Sequence, residues 1–121
     1  MNLNHLDLPA SDISESREFF ERYFGFKCTF EREDGLTVLL DEDGFALTIS
    51  PLPPGEQLVF PTGFHLGFNV DSEDDLYETH RNVVSAGVTI SRPMGKLAGA
   101  MTFHCLAPGG ILVEVAYRPR S

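Results

Sequence analysis

The chain has 121 residues, 42% of them hydrophobic, enough for one compact unit with a real core. Nine Lys+Arg stand against 18 Asp+Glu, a formal net charge of −9, and the basic residues form no stripe, which argues against a nucleic-acid partner. No apolar run reaches the roughly 18 residues of a membrane span, and the start MNLNHLDLPASD lacks the charged and apolar regions of a signal peptide. Ten Phe and no Trp predict a phenylalanine-rich core. Cys28 and Cys105 lie far apart in strand-like segments and are expected to be buried free thiols in a cytoplasmic protein.

From the N-terminus, NHLDLPASD (4–12) reads as a strand running into a helix start. Asp12 and Glu15 form a capping pair, and SESREFFERYF carries Ile13, Phe20 and Phe24 at helical spacing. Gly25 ends this helix. Strands follow at 26–33, 36–41 and 45–50, parted by the turn signals Asp34-Gly35 and Asp43-Gly44. The Pro-rich stretch 50–63 reads as a linker.

FHLGFNV (64–70) then alternates strictly, with Phe64, Leu66, Phe68 and Val70 on one side and His65, Gly67 and Asn69 on the other. Asp71 or Ser72 caps the helix DDLYETHRNVVSA, whose inward residues are expected to be Leu76, Val83 and Val84, with His80 in solvent. Gly87 ends it, and strands follow at 88–92, 101–106 and 111–117. The stretch ISRPMGKLAGAM (90–101) reads as a loop whose anion contact is Lys96.

The two halves repeat. NHLDLPASD and FHLGFNVDS match at an offset of 60 residues, and each half reads strand, helix, strand, strand, strand. The predicted fold is α+β in one domain over 1–121: a βαβββ module at about 1–50, a linker at 51–62 and a second module at about 63–117, forming a curled mixed sheet around a cavity. Leu6 and Leu8 would pack on the first helix, leaving His5 and Asp7 on the opposite face. His65 takes the same place in the second half. Glu114 intrudes between Val113 and Val115, where an unpartnered buried carboxylate costs several kcal/mol. Aligning Gly110 with Gly44 sets Glu114 opposite Thr48. Two histidines and a glutamate on inward strand faces, His5, His65 and Glu114, form a metal-ligand set, with Gly67 leaving room beside His65.

The segments 3–26, 64–88 and APGGILVEV (107–115) resemble the vicinal oxygen chelate superfamily, which includes glyoxalase I, bleomycin-resistance proteins, fosfomycin-resistance thiol transferases, methylmalonyl-CoA epimerase and extradiol dioxygenases. The last segment usually reads Asp-Pro-Asp-Gly-Asn-x-Ile-Glu there; here Pro108, Gly110 and Glu114 keep that form. The resemblance implies the paired βαβββ fold and assigns His5, His65 and Glu114 as metal ligands. The family's fourth ligand slot falls at or next to Thr48, within FALTIS (45–50), where neither carboxylate nor amide is present; that argues against glyoxalase I and the epimerase. His104 sits ten residues before the glutamate, where the three-ligand families commonly carry tyrosine. It is the expected acid/base residue. Asp7 stands where the fosfomycin enzymes have threonine, and the 90–101 stretch lacks their serines, so fosfomycin is a poor substrate guess.

These features imply a small-molecule metalloenzyme using Fe(II) or Mn(II), with Zn(II) or Ni(II) as alternatives, and dioxygenase-like chemistry on a substrate held through vicinal oxygens. Asp7, Thr48 and Thr102 are the expected substrate-binding residues. The alternative is a bleomycin-resistance-type drug-binding protein without turnover; a thiol transferase or lyase ranks third. The family implies a homodimer whose site can be shared between chains, with neither nucleic acid nor membrane as partner.

Overall fold

The computed structural model describes residues 1–119. The chain forms two compact units, Met1–Val59 and Phe60–Ser121. The first contains β1 (His5–Ala10), α1 (Ile13–Phe24), β2 (Lys27–Glu31), β3 (Thr37–Leu40) and β4 (Ala46–Pro51). The second contains β5 (His65–Asn69), α2 (Glu73–Ser85), β6 (Ile90–Leu97), β7 (Ala100–Leu106) and β8 (Leu112–Tyr117). Each unit is therefore βαβββ, the expected α+β class. The strands form two separate four-stranded sheets, ordered β1-β4-β3-β2 and β5-β8-β7-β6. Each sheet is mixed: its first strand pairs parallel with its last, and the other pairs are antiparallel.

Local chemistry sets the helix ends. The Asp12 side chain accepts from the Glu15 amide at 3.0 Å, and the Ser72 hydroxyl accepts from the Asp75 amide at 3.1 Å. Each such cap is worth about 1 kcal/mol. Gly25 closes α1 at φ 73°, a left-handed geometry that favours a residue without Cβ. Glu73, Asp74 and Asp75 crowd the first turn of α2, where the helix dipole favours negative charge.

The core of the first unit is Leu8, Phe20, Leu39, Leu47 and Ile49. That of the second is Leu76, Val83, Phe103, Cys105, Val113 and Val115. Burying each of the larger aliphatic and aromatic side chains contributes about 1.5–3 kcal/mol.

The structure differs from the sequence reading at four places. Val84 is 48% exposed, because it lies 100° round the helix from Val83, off the inward stripe. His80 is not in solvent: its ring meets Phe103 edge-on at 4.9 Å, since residues 76, 80 and 83 share the inward stripe. Cys28 is only half-buried, at a slip in the β2–β3 register, whereas Cys105 is fully buried and its thiol is pushed up to about 11 by that burial. The stretch 90–101 is a β-hairpin rather than a loop. Its turn is Ala98-Gly99, with φ 50° and 81°, and Arg118 Nη1 donates to the Ala98 carbonyl at 2.7 Å. Positive φ at both central positions is the mirror-type turn that suits the twist of paired strands.

Candidate functional site

In the second sheet, Phe103 packs on α2 through His80. The antiparallel register pairs Phe103 with Val115 and Cys105 with Val113, so these residues share the helix face. Strand alternation sends their neighbours to the opposite face. There the register aligns one row across all four strands: Gly67 opposite Glu114, Glu114 opposite His104, and His104 opposite Arg92. His65 lies on the same face, two residues before Gly67.

Glu114 is not left alone. His104 Nε2 lies 2.9 Å from Glu114 Oε2, with side-chain exposures of 15% and 27%. A carboxylate only accepts when ionised, so the imidazole holds its proton at Nε2, and Nδ1 faces away from the pair. The His65 and His104 rings stack at 6.2 Å with 18° between planes. His65, His104 and Glu114 thus come together. A Cβ added at Gly67 would meet no heavy atom within 4 Å, so open space lies beside Glu114.

The His65 ring is fixed from behind. Its Nδ1 lies 2.9 Å from the Gly63 carbonyl, which can only accept. The ring proton therefore sits on Nδ1, and the neutral imidazole keeps its lone pair at Nε2. That tautomer can coordinate a metal through Nε2, and the bond to the carbonyl is of the outer kind that orients ligating histidines. His5, in the first unit, has the same arrangement: its Nδ1 lies 2.7 Å from Asn4 Oδ1. Glu114 Oε1 accepts no hydrogen bond among the described residues, and imidazole and carboxylate are donor types that divalent metals take. Among the described residues, no group of three His, Cys, Asp or Glu side chains is gathered for an ion.

In the first sheet the equivalent row runs Asp7, Thr48, Val38 and Phe30. The parallel pairs His5–Ala46 and His65–Leu112 make Thr48 the positional counterpart of Glu114. Asp7 is exposed and accepts from the Ser50 hydroxyl at 2.5 Å. Thr48 is half-buried beside it. Thr102 shares the face of His104, but it is buried and its hydroxyl donates to the Val115 carbonyl at 2.8 Å. Its polar group is thereby committed to the backbone.

Two placements were not legible in the sequence. Lys96 pairs with Met101, which alternates with Phe103, so it belongs to the helix face and not to the face of His104. Arg92 takes the place beside His104 instead. The signal was the hairpin itself: once β6 and β7 are paired, the basic residue across from His104 follows.

Comparison with known proteins agrees with this architecture. The profile of the Glyoxalase/Bleomycin resistance protein/Dioxygenase superfamily matches residues 2–115. A search of curated proteins found no match. A solved structure described as a possible glyoxalase from Bacillus cereus is 35% identical, with 96% of this chain and 98% of that one covered and a TM-score of 0.81. An integron cassette protein from the mobile metagenome of V. Cholerae is 25% identical, covering 98% and 96%, with a TM-score of 0.76. A genomically encoded fosfomycin resistance protein from Listeria monocytogenes, at 19% identity and a TM-score of 0.80 over 98% and 91%, shares the fold. With its two βαβββ units and a profile match over nearly its whole length, the chain belongs to the glyoxalase/bleomycin resistance protein/dioxygenase superfamily.

Proposed function

We propose that this protein is a small-molecule metalloenzyme, with His5, His65 and Glu114 holding a divalent metal and His104 moving a proton. The observation that carries it is the His65 ring, whose Nδ1 is tied to the Gly63 carbonyl so that Nε2 keeps a free lone pair. Two imidazoles and one carboxylate suit Fe(II) or Mn(II). When bound, such an ion supplies Lewis acidity toward paired oxygens of a substrate, and dioxygenase-like chemistry is the leading reading.

The chain's own residues do the rest. The Gly63 carbonyl orients His65. Glu114 Oε2 holds the His104 proton at Nε2, which leaves Nδ1 to receive a proton from the substrate. Asp7 and Thr48 offer polar contacts to the substrate from the first unit. Thr102, with its hydroxyl bonded to the Val115 carbonyl, fixes the β7–β8 register beside His104 and Glu114. We take the protein to be a cytoplasmic homodimer, with His5 supplied by the same chain or by its partner. Two free cysteines suit a reducing compartment, and no described helix is long and apolar enough to cross a membrane.

Calorimetric titration with catechol, a simple vicinal-oxygen ligand, separates this reading from metal-free drug sequestration. Binding to the Mn(II)-loaded protein and none to the metal-free protein is the expected result. Equal binding to both would overturn the metalloenzyme reading in favour of a binding protein without turnover.

A further inference from the structure

We propose that Arg92 reads an anionic group on the substrate, so that the molecule this site takes carries a carboxylate besides its paired oxygens. The inference rests on the small-molecule reading above and narrows the substrate class.

The row across the second sheet carries it. Glu114, His104 and Arg92 stand side by side on β8, β7 and β6, on the face away from α2. His104 leans to Glu114 through its Nε2, away from Arg92. The guanidinium has no hydrogen bond or ion pair among the described residues. Arg17, Arg22, Arg32 and Arg118 are engaged, by Glu21, Glu18, Asp34 and the Ala98 carbonyl respectively, and the other arginine without a polar partner among the described residues, Arg81, lies on α2 and not on the face of His104. What sets Arg92 apart is its place: an arginine without a carboxylate partner on the face that bears His65 and His104.

The backbone also singles it out. The β6–β7 register shifts on both sides of Arg92, between Ile90 and Arg92 and between Arg92 and Gly95. Such bulges re-aim side chains and gather beside active sites. Pro93 follows and holds the residue before it in extended backbone. Arginine stays charged and presents a planar fork that grips a carboxylate with two parallel hydrogen bonds. β8 and β6 are two strand spacings apart, about 10 Å. A small acid can bridge that span, its oxygens toward Glu114 and its carboxylate toward Arg92.

Matched ligand pairs test this. Dissociation constants for 3,4-dihydroxybenzoate and its neutral amide, 3,4-dihydroxybenzamide, are measured by calorimetry on Mn(II)-loaded wild type, Arg92→Gln, Arg92→Lys and His65→Ala. In the wild type the acid should bind at least about tenfold more tightly than the amide, the scale of one charge-assisted contact. Arg92→Gln should erase that preference and leave amide binding unchanged, while Arg92→Lys retains part of it. Arg92 is exposed and unbonded, so an unchanged melting temperature is expected for both variants. Equal wild-type binding of acid and amide, both lost in His65→Ala, would overturn the inference and leave the metal-site reading standing. An acid preference that survives in Arg92→Gln would also overturn it. Binding of neither compound to any variant would overturn both.

Discussion

Replacing Phe103 with alanine is expected to cost about 3–5 kcal/mol of folding stability, the range for deleting a fully buried phenylalanine. Phe103 has no solvent exposure, and it meets His80 of α2 edge-on at 4.9 Å. On β7 it stands immediately before His104 and pairs with Val115 of β8, the residue after Glu114, so it anchors from behind the two strands that present His104 and Glu114. The truncation leaves a cavity between α2 and the sheet that neighbouring strands cannot close without moving. A lower urea midpoint with an unchanged slope would show the loss as stability rather than as a change in denatured-state compactness. A loss below about 1 kcal/mol would mean that this helix–sheet contact does not hold the second unit together.

The second large effect concerns the polar pair. His104→Ala is expected to destabilise by about 1.5–3 kcal/mol, the cost of leaving a charged group without its hydrogen-bond partner in a half-buried place. Glu114 is only 27% exposed, so water replaces the imidazole incompletely. Glu114→Ala removes the charge and the bond together. The double variant should be more stable than the sum of the single losses predicts, by a coupling of about 1–2 kcal/mol. The measurement is a double-mutant cycle by urea unfolding. Losses that add to within about 0.3 kcal/mol would show that the two residues do not act as a unit, and Glu114 would no longer orient His104.

The sequence shows the frame well because period and capping are local. FHLGFNV alternates over its whole length, and β5 covers His65–Asn69. Asp12 and Ser72 cap the helices through backbone amides three residues on. The repeat also anticipated the correspondence of Thr48 and Glu114, which the two parallel strand pairs reproduce. His104 and Glu114 were both legible as candidates, but not as bonded partners. Their pairing depends on the turn through Pro108–Gly110, which sets Leu106 opposite Leu112 and therefore His104 opposite Glu114.

The parts that stayed hidden depend on a single unusual turn or on reading polarity ahead of period. Ala98-Gly99 lacks the Asn-Gly or Asp-Gly signal of a tight hairpin, so the strand read at 88–92 was not carried on to Leu97, and the pairing of Arg92 with His104 went unnoticed. Lys96 then appeared to be the anion contact, although pairing with Met101 puts it on the other face. His80 looked solvated because it is polar, yet its place in the 76, 80, 83 stripe turns it to Phe103.

The central claim is a metal bound through His65, and elemental analysis of protein purified without a His-tag tests it most directly. Wild type and His65→Ala are loaded anaerobically with Fe(II), Mn(II) and Zn(II), desalted and measured. The account predicts about one ion per chain in the wild type, the content of a single closed ligand set, and near-complete loss in the variant. An equal metal content in both proteins, or no stoichiometric metal in either after anaerobic loading, would contradict it.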